Sequence, residues 1–216
     1  MKSYKEFPTF FCVDHPLIQH KLTQMRETSC KSLGFRSLLR EISSLIGYEI
    51  SRNLPMTTRH ITTPITDMDA PCLATPDPCI VPVLRAGLGM ADGLLDLIPT
   101  AQVGHIGVYR DHETKKPIEY LVRLPKNIGQ NFFVVDPMLA TGNSLIHVCD
   151  VLIKHGISPD KISVMALVAA PEGVKEFASH HPTIRVYCAA LDEKLNSNAY
   201  IVPGLGDAGD RLFGTE

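Results

Sequence analysis

The hydrophobic pattern of the chain is clearest in one strand followed by one helix. Four apolar residues in an unbroken run, at positions 132–135, predict a strand that is buried on both faces. Residues 145–155 carry polar side chains at helical spacing on an otherwise apolar segment, which predicts a helix that ends near Gly156. The small and turn-forming residues at 141–144 therefore predict a loop that leads from this strand directly into this helix.

A second unit of the same kind begins at the apolar run of residues 79–84. Glycines follow this run at its turn, and a helix is predicted from there to Leu97. Further apolar runs predict four more strands, at residues 103–109, 118–124, 161–170 and 183–191. Because strands and helices alternate from residue 79 onward, we predict an α/β fold with a mostly parallel central sheet and helices on both faces.

The residues before this core predict mainly helices. Asp14, His15 and Pro16 form a helix start signal, and apolar residues repeat at helical spacing behind them and again over residues 35–46. Residues 57–65 predict a strand, whereas the acids and prolines of residues 67–78 predict a loop.

Composition limits the chain to one domain. At 216 residues and 44% hydrophobic, it can bury one substantial core. We expect N-terminal helices within residues 14–51, a core at 79–191 and a C-terminal segment at 192–216. The charged residues 110–116 lie between two predicted strands and predict a projecting β-arm that could act as a flap.

Charge and cysteine content exclude several kinds of partner. The net charge is −2 and no basic run occurs, so we expect neither a nucleic acid nor a membrane as a partner. The six cysteines form no CxxC pair, and no apolar stretch reaches the roughly 18 residues of a membrane span. Reduced thiols and the lack of an apolar signal core in the first ten residues predict a cytoplasmic protein.

Familiar cofactor motifs do not fit the sequence. Gly204, Gly206 and Gly209 match the dinucleotide pattern GxGxxG, but only seven residues follow, too few for the helix, strand and acid that such a site needs. The chain contains neither a P-loop motif nor HExxH. By contrast, Asp136 ends the central strand, and the loop behind it offers backbone N–H groups at the positive end of a helix dipole. A phosphate group with an acid beside it is therefore the predicted ligand chemistry.

Four motifs in order carry a family resemblance. Residues 134–144, VVDPMLATGNS, resemble the phosphoribosyl pyrophosphate (PRPP) loop of type I phosphoribosyltransferases, with Asp136-Pro137 where most relatives carry two adjacent acids. Together with VLRAGLGM at 83–90, YRD at 109–111 and YIVPGLGDAGDR at 200–211, this loop makes nearly the whole chain similar to the uracil phosphoribosyltransferase family.

The resemblance implies a reaction and a set of site residues. Uracil and PRPP would give UMP and pyrophosphate with Mg²⁺, by a dissociative displacement at the anomeric carbon. The implied catalytic residues are Asp136, Arg85, Arg110 and Asp207. The implied PRPP-binding residues are Arg85, Arg110, Asp136, Pro137, Met138, Leu139, Ala140, Thr141, Gly142, Asn143, Ser144 and Asp207. The implied uracil-binding residues are Ile201, Gly206, Asp207 and Ala208, in a C-terminal hood over the base. No residue is expected to bind the metal directly, although Asp207 would contact it through water.

The resemblance also implies a homodimer or homotetramer and allows GTP as an effector. Asn143 departs from the family pattern, because glycine or another small residue is usual there. Two other functions stay open at this point. A phosphoribosyltransferase for another nucleobase would share the loop, and a non-catalytic regulator that senses PRPP or a nucleotide and binds RNA would need a basic face.

Overall fold

The structure is a computed structural model, and it describes residues 1–110, 117–126 and 129–215. Its strands are β1 (Lys2–Tyr4), β2 (Phe7–Cys12), β3 (Met56–Thr62), β4 (Asp67–Leu73), β5 (Cys79–Pro82), β6 (Gln102–Val103), β7 (His105–Arg110), β8 (Pro117–Arg123), β9 (Phe132–Val135), β10 (Met138–Leu139), β11 (Ile162–Ala169), β12 (Arg185–Leu191), β13 (Lys194–Leu195) and β14 (Ile201–Val202). Its helices are α1 (Pro16–Arg26), α2 (Ser32–Ser51), α3 (Gly87–Leu97), α4 (Asn143–Lys154), α5 (Pro171–His180) and α6 (Ala208–Phe213), with a 3₁₀ turn at Pro159–Lys161.

One sheet of eight strands forms the centre of the fold. Its strand order is β1-β2-β12-β11-β9-β5-β6, and β10 also pairs with β11. The β1–β2 pair is antiparallel and every other pair in this sheet is parallel. The predicted α/β fold with a mostly parallel central sheet is confirmed.

The sheet is buried on both faces, as the unbroken apolar run of β9 predicts. Phe133 and Val135 belong to a core formed with α1, α2, α3 and α6, whereas Phe132 and Val134 belong to a second core formed with α4 and α5. Successive side chains of a strand point to opposite faces, so one short strand contributes to both cores. All six cysteines are free thiols, and four of them are buried in or beside this sheet.

The connections of β5 and β9 diverge at the middle of the sheet. These two strands are neighbours, but β5 continues through α3 on one face and β9 continues through α4 on the other. Strands that diverge in this way leave a crevice at their carboxyl ends, which is where ligands of open α/β sheets bind. The fold alone therefore places a site after Pro82 and Val135.

The sequence prediction is wrong at β4 and at the N-terminal strands. Residues 67–73 form β4, which pairs with β3 in a separate antiparallel hairpin, in place of the loop predicted over residues 67–78. Most side chains of β4 are exposed, so no alternation of buried and exposed positions marks it in the sequence. Strand β3 is equally exposed, but it agrees with the strand predicted at residues 57–65. The sequence pattern also predicts no strand before residue 57, whereas β2 pairs in parallel with β12 at the edge of the main sheet.

A second hairpin joins β7 and β8, in agreement with the predicted β-arm. Residues 111–116, which hold most of the predicted flap, lie outside the described residues. The N-terminal helices agree with the sequence prediction, since His15 caps α1 by accepting the N–H of Leu17 and α2 buries a stripe of apolar side chains. Within the described ranges, no helix combines the length and the apolar character that crossing a membrane requires.

The packing of α2 on α3 gives a stability prediction. A Cβ atom on Gly93 would lie 2.2 Å from the backbone oxygen of Arg40, so we expect Gly93→Ala to lower the free energy of unfolding by about 1–3 kcal/mol. Gly34 is the control, because a Cβ there would meet only Cys30 Sγ, at 3.5 Å. Gly34→Ala should raise stability by about 0.5–1 kcal/mol through its higher helix propensity. Urea unfolding measures both, and equal effects would contradict the packing described here.

Candidate active site

Asp136 stands at the carboxyl end of β9, in the crevice between diverging connections. Its backbone N–H donates to the oxygen of Met165 at 3.1 Å, and the oxygen of the preceding Val135 accepts the N–H of Val83 at 2.9 Å. The Asp136 carboxylate accepts the N–H of Met138 at 3.4 Å. Desolvation raises the pKa of Asp136 to about 7, and the Met138 N–H opposes that rise only in part. A carboxyl group with so perturbed a pKa, in a crevice, is a functional candidate.

The loop behind Asp136 can bind an anion through its backbone. Gly142 has φ of +85° and is the residue immediately before α4, so the chain enters the helix through a left-handed turn. In the described part of the chain, the N–H groups of residues 141–145 donate to no acceptor. These groups point from the positive end of the α4 dipole, and the loop with Asp136 encloses a cavity of about 80 Å³.

The first turn of helix α5 packs against the backbone of this loop. A Cβ atom on Gly173, in the first turn of α5, would lie 2.2 Å from the backbone oxygen of Ala140. The side chains of Thr141 and Ser144 are exposed on the open side of the loop. The backbone is thus held close to α5 while the hydroxyl groups remain available to a ligand.

Arg85 joins this region to the C-terminal segment. It follows β5, and its guanidinium lies 3.7 Å from Asp210 Oδ1 and 5.7 Å from the centre of the Phe213 ring. The side chain is 62% exposed, so this ion pair with α6 is weak and leaves the guanidinium free to bind another anion. For Arg110, the structure describes the backbone at the end of β7, and the side chain lies outside the described part.

The C-terminal segment presents backbone groups beside Arg85. Ile201 is buried, whereas Gly206 is exposed with φ of +77°. Asp207 caps α6, its Oδ1 accepting the N–H of Asp210 at 3.0 Å. Neither Gly206 nor Ala208 donates its N–H to any acceptor among the residues that the structure covers. Gly206 therefore presents a backbone donor at an exposed turn beside Arg85, and the buried Ala208 has a second donor that meets no acceptor in the described part of the chain.

Comparison with known proteins shows which family the chain resembles. A sequence model of the uracil phosphoribosyltransferase family matches residues 12–215. Proteins named uracil phosphoribosyltransferase from Rhodospirillum centenum and Paraburkholderia phymatum are 59% and 58% identical over 216 residues, with both chains covered completely. The chain belongs to the uracil phosphoribosyltransferase family. A solved structure of an Aquifex aeolicus protein has a TM-score of 0.88 and 33% identity, covering 96% of this chain and 99% of that one.

Membership of the uracil phosphoribosyltransferase family raises the question of a metal ion. Over residues 1–110, 117–126 and 129–215, no group of three or more His, Cys, Asp or Glu side chains could hold one. Among the described residues, Asp136 and Asp207 therefore belong to no cluster of three or more such side chains.

Sequence reasoning missed three residues that hold the site together. Arg26 and Asp192 form a partly buried ion pair, and Arg211 donates to the backbone oxygens of Leu205, Glu27 and Cys30 at 2.9, 2.8 and 3.2 Å. Asp192 did carry one signal, because it follows a buried strand just as Asp136 does. Arg211 ends the motif at residues 200–211, but the motif does not indicate its backbone partners. Arg26 carried no signal, since its partner is distant in sequence.

The environment of Asp136 predicts a pH-dependent stability. Its folded pKa of about 7 exceeds the unfolded value near 4, so the folded state binds more protons between these values and loses stability as the pH rises. Asp136→Asn removes the buried charge. We therefore expect the difference in free energy of unfolding between the variant and the unaltered chain to shift by about 1–3 kcal/mol in favour of the variant when the pH is raised from 5 to 8. Urea unfolding of both proteins at the two pH values measures this shift.

Asp96→Asn is the control for this prediction. Hydrogen bonding and charge from Arg40 lower the pKa of Asp96, so its contribution is fully present above pH 4 and lost only in more acidic solution. The effect of Asp96→Asn should therefore be the same at pH 5 and pH 8. An Asp136→Asn effect that is equally independent of pH would contradict the desolvation of Asp136.

Proposed function

We propose that this chain transfers the 5-phosphoribosyl group of PRPP to uracil, forming UMP and releasing pyrophosphate. The observation that carries the proposal is that an acid and an anion-binding loop meet a turn with free backbone donors at one crevice of the sheet. Membership of the uracil phosphoribosyltransferase family supports the choice of substrates. It also favours this activity over the alternatives of another nucleobase or of an RNA-binding regulator.

PRPP would bind along the loop after β9. The free N–H groups of residues 141–145 and the hydroxyls of Thr141 and Ser144 suit a 5-phosphate, which carries several acceptor oxygens. Asp136 would accept the two ribose hydroxyls, and two O–H donors favour the charged carboxylate and lower its raised pKa. The remaining proposed contacts of this half are Pro137, Met138, Leu139, Ala140, Gly142 and Asn143.

Two arginines would receive the departing pyrophosphate. A guanidinium binds two phosphate oxygens at once, and Arg85 is exposed at the end of β5 with only a weak ion pair to Asp210. Arg110 is proposed for the same role from the family resemblance. Mg²⁺ would enter with PRPP, held by the oxygens of the substrate, and Asp207 would contact it through water.

Uracil would be recognised through the backbone of the C-terminal segment. It is a flat, neutral base with carbonyl acceptors and N–H donors, so peptide groups complement it without a charged side chain. Among the described residues, the N–H groups of Gly206 and Ala208 meet no acceptor. Asp207 lies between them in the same turn, and Ile201 is in β14, shortly before it. Gly206 has no Cβ, which permits a close approach to the base.

This arrangement requires no nucleophile from the protein. Positive charge builds on the ribose as its bond to pyrophosphate loosens, and the base nitrogen then attacks the anomeric carbon. Catalysis by positioning and electrostatics would therefore suffice, with Asp136 beside the ribose and Arg85 and Arg110 beside the leaving group. Closure of a flap over residues 110–116 would exclude water from the reactive ribose.

Assembly, effector and location are proposed from the family resemblance. A homodimer or homotetramer is supported by the exposed β3–β4 hairpin, which carries apolar side chains at Met56 and Ile65 that are 59% and 92% exposed. GTP as an effector and a cytoplasmic location are proposed from the resemblance and from the free thiols.

The substrate assay tests the proposed function directly. The chain is incubated with PRPP, Mg²⁺ and one of uracil, cytosine, uridine, adenine, guanine or hypoxanthine, and pyrophosphate and nucleotide are measured. We expect UMP from uracil and at least about 100-fold lower kcat/KM for the purines, because a site of paired hydrogen bonds strongly rejects a ligand that leaves them unmade. A purine nucleotide formed without UMP would refute the choice of base.

Asp136 should matter far more to turnover than to folding. Asp136→Asn keeps the shape but loses the charge that accepts the ribose hydroxyls, so we expect kcat/KM to fall by about 100- to 1,000-fold. The variant should remain folded at pH 8, and Asp96→Asn should keep full activity. Kinetics of Asp136→Asn close to those of the unaltered chain would remove Asp136 from the site.

A further inference from the structure

A partly buried ion pair, in which the Arg26 side chain is 24% exposed, links the first helix to the C-terminal segment. Arg26 is the last residue of α1, and Asp192 directly follows β12. The guanidinium donates to both carboxylate oxygens, at 2.8 Å from Nη1 and 2.6 Å from Nη2. The Asp192 side chain is only 5% exposed. Because desolvation offsets much of the attraction in such a pair, stability alone explains its presence poorly.

Both members of the pair also bind one residue, Gly204. The backbone N–H of Gly204 donates to Asp192 Oδ2 at 2.9 Å, and its backbone oxygen accepts from Arg26 Nη1 at 2.5 Å. Gly204 has φ of +63°, and a Cβ there would lie 2.1 Å from the oxygen of Ile201. The ion pair thus fixes a tight turn through both the backbone N–H and the backbone oxygen of Gly204.

The pair is itself fixed to the sheet. The backbone N–H of Asp192 donates to the oxygen of Ala169 at the end of β11, at 2.8 Å, and Glu193 donates to the oxygen of Val202 at 2.9 Å. The next residue, Leu205, is held by a different side chain, because its backbone oxygen accepts a hydrogen bond from Arg211 at 2.9 Å. Arg211 also donates to the backbone oxygen of Glu27, the neighbour of Arg26, at 2.8 Å. The turn is therefore bound to the core on one side and to the end of α1 on the other.

We infer that Arg26 and Asp192 are positioning residues for the base, an inference that rests on the proposed function. They place the backbone donors of Gly206 and Ala208 through Gly204 without touching uracil. A hydrogen bond weakens steeply outside a narrow range of distance and angle, and backbone donors cannot adjust as side chains do. Of the proposed PRPP contacts, Asp207 lies in this turn, but its contact would be indirect, through water. The loop that would hold the ribose phosphate depends on β9, β10, α4 and α5, which make no hydrogen bond to the pair among the described residues. Loss of the pair should thus weaken uracil binding selectively.

The test compares the KM values for uracil and for PRPP in Arg26→Lys and in the double variant Arg26→Gln/Asp192→Asn. Lysine keeps the charge beside Asp192 but cannot donate in parallel to the carboxylate and to Gly204. The double variant leaves no unpaired buried charge. We expect the KM for uracil to rise about 3- to 10-fold in Arg26→Lys and about 10- to 100-fold in the double variant, with the KM for PRPP changed less than twofold.

The control is Arg40→Gln/Asp96→Asn, which removes an exposed ion pair between α2 and α3 and should leave both KM values unchanged. Mg-PRPP stabilisation in thermal unfolding provides a readout that is independent of turnover. The inference would be overturned if the KM values for uracil and PRPP rose together, or if the KM for uracil stayed constant in both variants. Either result would leave the proposed function standing. Absence of UMP formation by the unaltered chain would overturn the proposed function, and the inference with it.

Discussion

Ionising a carboxyl group away from water costs free energy. The central sheet places Asp136 in a crevice where its ionisation carries this cost. The connections after β5 and β9 leave on opposite faces, so the acid at the end of β9 is partly buried in a crevice, and desolvation there raises its pKa. Among the described residues, the N–H of Met138 is the group that favours its charged form. A ligand with hydroxyl donors supplies what the ligand-free protein lacks, and the same desolvation that destabilises the charge strengthens its bonds to that ligand.

The two halves of the proposed site are supported by separate parts of the structure. The ribose-phosphate half belongs to the central sheet and to α4 and α5, since Gly173 packs against the loop backbone. The base half is a short C-terminal segment whose position depends on Arg26, Asp192 and Arg211. A phosphate cradle built into the core can stay constant while the outer segment sets which base is accepted. The partly buried ion pair then has a role in specificity that its modest contribution to stability does not reveal.

Burial decided how much of this could be predicted from the sequence. The strand at residues 132–135, the helix after it, and α1 and α2 have strong hydrophobic patterns because they face the core, and all are confirmed. Strand β4 was missed because it is exposed and carries acids and a proline. Arg26 and Asp192 are 166 residues apart, so no local spacing joins them. The positions of Asp136 and the loop followed from motif and resemblance, whereas the desolvation of Asp136 required the packed structure.

The titration of Asp136 itself is the most direct test of this account. Its carboxyl ¹³C shift, assigned by comparison with Asp136→Asn, can be followed by NMR from pH 4 to pH 9 with and without Mg-PRPP. The account predicts a pKa of about 7 in the free protein and a clear decrease when Mg-PRPP is bound. A pKa near 4 in the free protein, unchanged by Mg-PRPP, would contradict both the desolvation of Asp136 and its place in the site.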